Sequence, residues 1–199
     1  VDLPRLRAWK EGILDKLSGG VAQLAKLRNV EVWRGRGYFE DSQTLRVETE
    51  QGQRFIRYQQ AILAHGSKPA MPKAFDLGNP RIMTSNEALE IEEIPESLLV
   101  IGGGYIGLEL GSVYAALGSK VVIVELMETL LMGADPDLVR PVFTYARKHF
   151  QEVRLKAKVL EMATSGRQIK VHLDLEGQRL EENYDRVLVA VGRAPSGDD

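Results

Sequence analysis

The chain has 199 residues, 44% hydrophobic and 27% charged, with a formal net charge of -2 and no cysteine. This balance suits one large or two small soluble domains and gives no electrostatic ground for a nucleic-acid or anionic-membrane partner. No apolar run nears the roughly 20 residues of a membrane span and the first residues lack a signal-peptide core, so a cytoplasmic setting is expected; the missing thiols exclude a cysteine nucleophile, a dithiol redox centre and a thiolate metal site within these residues.

In chain order, a helix is expected over residues 4–27, from Leu6, Trp9, Ile13, Leu17, Val21 and Leu24 at helical spacing. Gly19 and Gly20 are expected to break or kink it, and charges such as Arg5, Lys10, Glu11 and Lys16 form its solvated face. A β-meander follows, with strands at 30–33, 44–49 and 54–58 parted by the turn signals Asp41-Ser42 and Gln51-Gly52. A short buried strand at 61–64 ends at His65-Gly66-Ser67. Residues 68–95 hold four prolines and few periodic apolar positions, which reads as a connection between domains. Within it, Ser85 is expected to cap a short helix that includes Ala88 and Leu89.

Residues 97–101 then form an apolar strand that runs into Gly102-Gly103-Gly104-Tyr105-Ile106-Gly107 and a helix. A bare GxGxxG is weak evidence until its surroundings are checked; here strand, glycine turn, helix and a following acid are all present. Gly102 allows the tight turn, Gly104 lets backbone approach a pyrophosphate with no Cβ between them, and Gly107 lets the helix pack close to the sheet. The phosphates would face the free N–H groups at the helix start, where the macrodipole is positive. Gly107, Gly111 and Ala115 keep one helix face slim, and Gly118 ends the helix as a left-handed cap. The run 121–124 is a second parallel strand, closed by Glu125 eighteen residues after Gly107. A carboxylate there accepts ribose hydroxyls and repels a 2′-phosphate, and no arginine follows until Arg140, so NAD is favoured over NADP. The same fingerprint also serves FAD, and these residues alone do not separate the two.

Asp135-Pro136-Asp137 starts a further helix, through residue 150, with acid and proline in its first turn. Strands are expected at 153–155, 159–162, 169–175 and 187–191, the last ending in Gly192-Arg193-Ala194-Pro195, with Glu176-Gly177 as a turn. His65, His149 and His172 lie far apart without metal-ligand spacing, so no metal site is expected. His172 falls on the exposed face of an alternating strand, and His149 sits at a helix end beside Arg147 and Lys148, where cations suit the dipole.

The apolar runs ending at Gly66 and Gly192 echo each other, with the fingerprint between them. Together with the paired Trp9-Lys10-Glu11 and Leu17-Ser18-Gly19-Gly20 as one motif, Gly35-Arg36-Gly37-Tyr38-Phe39 and the 85–89 segment, this arrangement resembles the flavoprotein pyridine nucleotide-disulfide reductases, above all the dihydrolipoamide dehydrogenase family. The six motifs span essentially the whole chain in family order. The resemblance implies an α/β, Rossmann-like FAD/NAD(P)-binding fold, a parallel sheet with a β-meander, plus a partial FAD-domain segment. It implies a division into a partial FAD-binding domain at 1–67, a connection at 68–95 and an NAD-binding domain at 96–199. It also makes this GxGxxG the family's second, NAD-binding one. On that basis Gly102, Gly103, Gly104, Tyr105, Ile106, Gly107, Glu125, Val159 and Gly192 match NAD-contacting positions. Ile106 and Glu109 match residues near the nicotinamide and flavin, and Gly37, Gly66 and Ser67 match FAD contacts.

The departures matter equally. The family carries a CxxxxC disulfide, an amino-terminal FAD fingerprint and a carboxy-terminal His-Pro with a following Glu, none of which is present here. His65 stands where the family often has Thr or Ala, and Ser196 where it continues Pro-Asn. The chain therefore reads as a central fragment, with no catalytic residue of its own. For a parent enzyme the resemblance implies electron transfer from dihydrolipoamide on a lipoyl domain through a cysteine pair to FAD and NAD, in a homodimer. The alternatives are a cysteine-free relative such as an NADH oxidase, or a non-catalytic NAD-binding module.

Overall fold

The computed structural model describes residues 1–197; Asp198 and Asp199, the end of the expected 96–199 domain, lie outside the described residues. The chain divides into two compact units, Pro4–His65 and a larger one holding Val1–Leu3 with the residues from Gly66 onward.

The smaller unit holds helix α1 (Leu3–Leu27) from Pro4 onward and the antiparallel strands β1 (Arg36–Asp41), β2 (Thr44–Thr49) and β3 (Gly52–Arg57), in the order β1-β2-β3. α1 runs unbroken through Gly19 and Gly20 and buries none of its residues. An interior glycine weakens a helix by about 1 kcal/mol but leaves its hydrogen-bond ladder possible, so the expected break does not occur. The first strand lies at 36–41, not 30–33: Asp41 turns the chain by accepting the Gln43 N–H at 2.7 Å, and that turn sets the register of 36–41 against 44–49. The expected buried strand at 61–64 is absent, and Ile62 and Leu63 are 95% and 65% exposed. A strand exists through its ladder, and among the described residues none pairs with this run.

The larger unit contains β4 (Ser67–Pro69), β5 (Ile82–Met83), α2 (Ser85–Glu90), β6 (Ser97–Ile101), α3 (Tyr105–Leu117) and β7 (Lys120–Val124). It continues with α4 (Pro136–His149), β8 (Glu152–Arg154), β9 (Ala157–Ser165), β10 (Gln168–Leu175), β11 (Gln178–Tyr184), β12 (Arg186–Val189) and β13 (Arg193–Pro195). A parallel sheet in the order β5-β12-β6-β7-β8 lies at its centre. Alternation along its strands explains their uninterrupted apolar runs, because both faces are covered. Leu98, Val100, Val121, Ile123 and Leu188 form one core with Leu108, Tyr114 and Ala146 of the helices. Leu99, Ile101, Val122, Val124, Val187 and Val189 form the other with Val159, Ile169, Val171 and Leu173 of the β9-β10-β11 meander. The result is three layers, helices on sheet on meander, in keeping with the expected Rossmann-like α/β class.

Local details refine the sequence reading. The segment 68–95 folds onto this unit, with β5 pairing with β12. Thr84, not Ser85, caps α2: its side chain accepts the Asn86 N–H at 3.2 Å, and the Glu87 carboxylate accepts the Thr84 N–H at 2.7 Å. This capping box needs Glu three residues after the cap, a spacing that Thr84 satisfies. Gly118 caps α3 in the left-handed region, as expected. No helix among the described residues is long and apolar enough to cross a membrane.

Candidate functional site

The C-terminal ends of β6, β7 and β12 surround a glycine turn. Gly102 leaves β6 with φ of 112°, and a Cβ there would collide with the carbonyl of Ala190. Its N–H donates to the Val124 carbonyl at 2.9 Å, which ties the turn to β7. Gly107, one turn into α3, lies so close beneath the loop that a Cβ would strike the Gly102 carbonyl and stand 3.0 Å from Cγ1 of Val100. Gly104, the N-cap of α3, differs: a Cβ there would meet nothing within 4 Å. The protein's own packing does not require a glycine at this position.

Glu125 locks the turn from the side. One carboxylate oxygen accepts the Gly103 N–H at 2.6 Å and the other accepts the Met127 N–H at 2.8 Å. Each oxygen has a second lone pair, so the carboxylate can accept two further donors. Its own N–H bonds the Arg154 carbonyl and its carbonyl accepts from Ala157, both at 2.9 Å. Arg154 is held in turn by Glu182 at 2.8 and 3.0 Å and Glu152 at 2.6 Å. These carboxylates push the Arg154 guanidinium pKa up, and the Arg154 hydrogen bond holds the Glu182 carboxyl below its usual range. Tyr184, whose burial raises its phenol pKa, donates to Glu182 at 2.5 Å.

A cavity of about 830 Å³ opens in front of the turn, within the size range of small-molecule sites. Of the expected residues, Gly102, Gly104, Tyr105, Ile106, Glu125, Val159 and Gly192 line it. Gly103 stands behind it, bonded to Glu125, and Gly107 is buried under the turn. Glu109 is exposed on α3 and does not line the cavity. Ser67 stands opposite Pro195 and the Gly66 carbonyl accepts the Ser196 N–H, because β4 pairs antiparallel with β13, while Gly192 meets Ala70 at the other end of the ladder. Gly37 lies exposed in β1 of the smaller unit.

The sequence reading missed the loop between β7 and α4, which supplies Leu126, Met127, Leu131 and Met132 to the wall. Leu131, with φ of 49°, donates its N–H to the Gly103 carbonyl at 3.0 Å, and Leu130 is fully buried against Gly103. The available signal was a run of large apolar residues in a glycine-containing loop with no helical or strand period. Two cations, Lys158 and Arg193, also line the cavity against one acid, Glu125, among the described residues. The first turn of α3 carries no acidic side chain and its N-cap makes no side-chain hydrogen bond, so the positive end of its dipole faces the cavity with the Glu125 carboxylate beside it at Gly103.

Comparison with known proteins assigns the fold to a lineage: a family profile described as pyridine nucleotide-disulphide oxidoreductase matches residues 3–199. The chain belongs to this family. Among pyridine nucleotide-disulphide oxidoreductases, it is 40% identical over 199 residues to a dihydrolipoyl dehydrogenase of Vibrio parahaemolyticus, covering 98% of this chain and 41% of that protein. It is 37% identical to one of Haloferax volcanii, covering 100% of this chain and 42% of that protein. The chain thus spans about two-fifths of the length of these curated relatives. A solved structure of the HOCl-induced flavoprotein disulfide reductase RclA from Escherichia coli matches with a TM-score of 0.78 at 28% identity, covering 96% of this chain and 43% of that one. These matches bear out the resemblance expected from the six motifs.

Proposed function

We propose that the cavity binds NAD(H), and that the chain is the NAD-binding part of a dihydrolipoamide dehydrogenase-like flavoenzyme. The observation that carries this reading is Gly104. It is a glycine without a steric reason inside the protein, set at a bare helix N-terminus on a cavity wall. A ligand with phosphates supplies the missing reason, since its approach to backbone N–H groups needs that space clear. Glu125 gives the adenosine ribose two acceptor positions, and its charge disfavours a 2′-phosphate. Lys158 and Arg193 offset the charge of a dianionic ligand.

When bound, NAD supplies a hydride acceptor for a reduced flavin. The chain's own contribution is to orient that ligand: α3 and the glycine turn fix the pyrophosphate, Glu125 fixes the ribose, and Ile106, Val159 and Gly192 shape the rest of the wall. On the same reading Gly66 and Ser67 contribute backbone to a flavin site, and for Gly37 and Glu109 the resemblance implies a flavin contact and a place near the nicotinamide and flavin respectively. Dihydrolipoamide oxidation and homodimer formation would belong to the longer enzyme. The 199 residues contain no cysteine, so by themselves they are expected to be inactive toward dihydrolipoamide.

Fluorescence titration of NADH against the wild type and Glu125→Ala tests the proposal. Loss of the charged acceptor should weaken NADH by about 1.5–3 kcal/mol, roughly ten- to a hundredfold in Kd. Equal affinity of the two proteins would show that Glu125 is no ribose acceptor.

A further inference from the structure

We propose that Ser67, which does not line the cavity, is a positioning residue for dinucleotide binding and acts through Arg193; this rests on the NAD(H) reading above. The segments that follow Gly66 and Gly192 pair at this point. In the β4-β13 ladder Arg193 stands opposite Pro69, Ala194 opposite Lys68 and Pro195 opposite Ser67. The Gly192 carbonyl accepts the Ala70 N–H at 3.0 Å, and the Gly66 carbonyl accepts the Ser196 N–H at 3.1 Å. Across this ladder the Arg193 guanidinium grips one residue twice: Nε donates to Oγ of Ser67 at 2.7 Å, and Nη2 donates to the Ser67 carbonyl.

Gly192 and Arg193 line the cavity, whereas Ser67 stands outside it. Gly192 has φ of 134°, and an added Cβ would meet nothing within 4 Å, so side-chain packing does not hold this part of the wall. The ladder alone is a weak restraint, because all three residues of β13 are exposed and a two-stranded ribbon is marginal in water. The planar guanidinium fork adds the directional hold that the ribbon lacks, and a lysine ammonium cannot reproduce it. Its acceptors on Ser67 are uncharged oxygens, so Arg193 keeps its positive charge at the cavity wall. Ser67 thereby sets where the Gly192-Arg193 wall and its charge stand relative to the glycine turn at Gly102.

NADH titration of the 199-residue chain tests this with Ser67→Ala, Ser67→Thr, Arg193→Lys and the double variant Ser67→Ala with Arg193→Lys, each checked for an unchanged thermal midpoint. Ser67→Ala should weaken NADH about three- to tenfold, and the double variant should bind no worse than Arg193→Lys alone, as expected for two residues in one contact. Ser67→Thr, which keeps the hydroxyl, should restore wild-type affinity, an outcome that a general loss of packing would not give. Unchanged affinity in Ser67→Ala, equal losses in Ser67→Ala and Ser67→Thr, or full additivity in the double variant would each overturn the proposal while leaving the NAD(H) reading intact. Should Ser67→Ala fail to fold, Arg193→Lys must itself weaken NADH, and wild-type affinity there would overturn it. A wild type that binds no NADH removes the NAD(H) reading, and this proposal with it.

Discussion

Gly104 and Gly107 belong to one hexapeptide but are constrained by different things, and substitution separates them. At Gly107 a methyl group would press on the Gly102 carbonyl and Val100, so Gly107→Ala should destabilise the larger unit by about 1–3 kcal/mol, with any loss of NADH binding following the loss of fold. At Gly104 the backbone is extended, with φ of -76° and ψ of 178°, which alanine adopts freely. Gly104→Ala should therefore change stability by no more than about 1 kcal/mol while sharply weakening NADH. Thermal unfolding and NADH titration on the two variants check the contrast, and parallel behaviour in both would remove the argument that Gly104 answers to a ligand. The glycine positions and Glu125 were legible in the sequence because their spacing carries a mechanism. The twin backbone bonds that pin the Glu125 carboxylate were not, since Met127 donates only through its main chain and any residue but proline could do the same.

At the scale of elements, legibility followed pairing. The strands at 97–101 and 120–124 could be read because after Ser97 and Lys120 every position is apolar and buried. The alternating run at 30–33 and the apolar run at 61–64 also look strand-like, but strand formation depends on a neighbour that local sequence does not name. Nor did sequence reveal β11 (Gln178–Tyr184), whose polar positions Glu181, Glu182 and Asn183 gave no apolar alternation. α1 offers the clearest test at this level. Gly19 and Gly20 lie in its interior, where an added Cβ meets nothing within 4 Å. Gly19→Ala and Gly20→Ala should each stabilise the helix by about 0.5–1 kcal/mol, seen as more helical signal by circular dichroism and a higher midpoint for the smaller unit. A decrease would mean that the helix needs those glycines for a bend.

Taken as a whole, the molecule has a modest net charge of -2, but its paired acids make it sensitive to acid. The carboxyls of Glu87, Glu93, Glu182 and Asp185 are all held below their ordinary values. Hydrogen bonds from Thr84, Arg186 and Arg154 respectively lower the first three. At Asp185, burial pushes upward but is outweighed by hydrogen bonds from Gln168 and Ser97. A carboxyl lowered on folding adds stability above its unfolded pKa and loses it as pH falls through the folded value. The thermal midpoint should therefore hold near neutrality and drop below about pH 4. Glu182→Gln should lower the stability at pH 7, by about 1 kcal/mol after allowance for the 31% exposure of its side chain, seen as a lower midpoint, and flatten the acid limb. An unchanged slope would remove Glu182 from the acid response. The same replacement tests Arg154, whose Nε is already a buried donor without a partner among the described residues.

Under the proposed NAD(H) reading, the carboxylate of Glu125, held at both oxygens before any ligand arrives, would govern how a nucleotide is chosen. A free side chain would have to give up rotamer freedom on meeting the ribose, and each candidate ligand would bear that cost alike. Here the ordering is completed during folding, so recognition becomes a matter of shape at a finished surface. Ligands that differ by a single substituent on the ribose are then compared against a fixed template, and the template cannot turn aside to accommodate the wrong one.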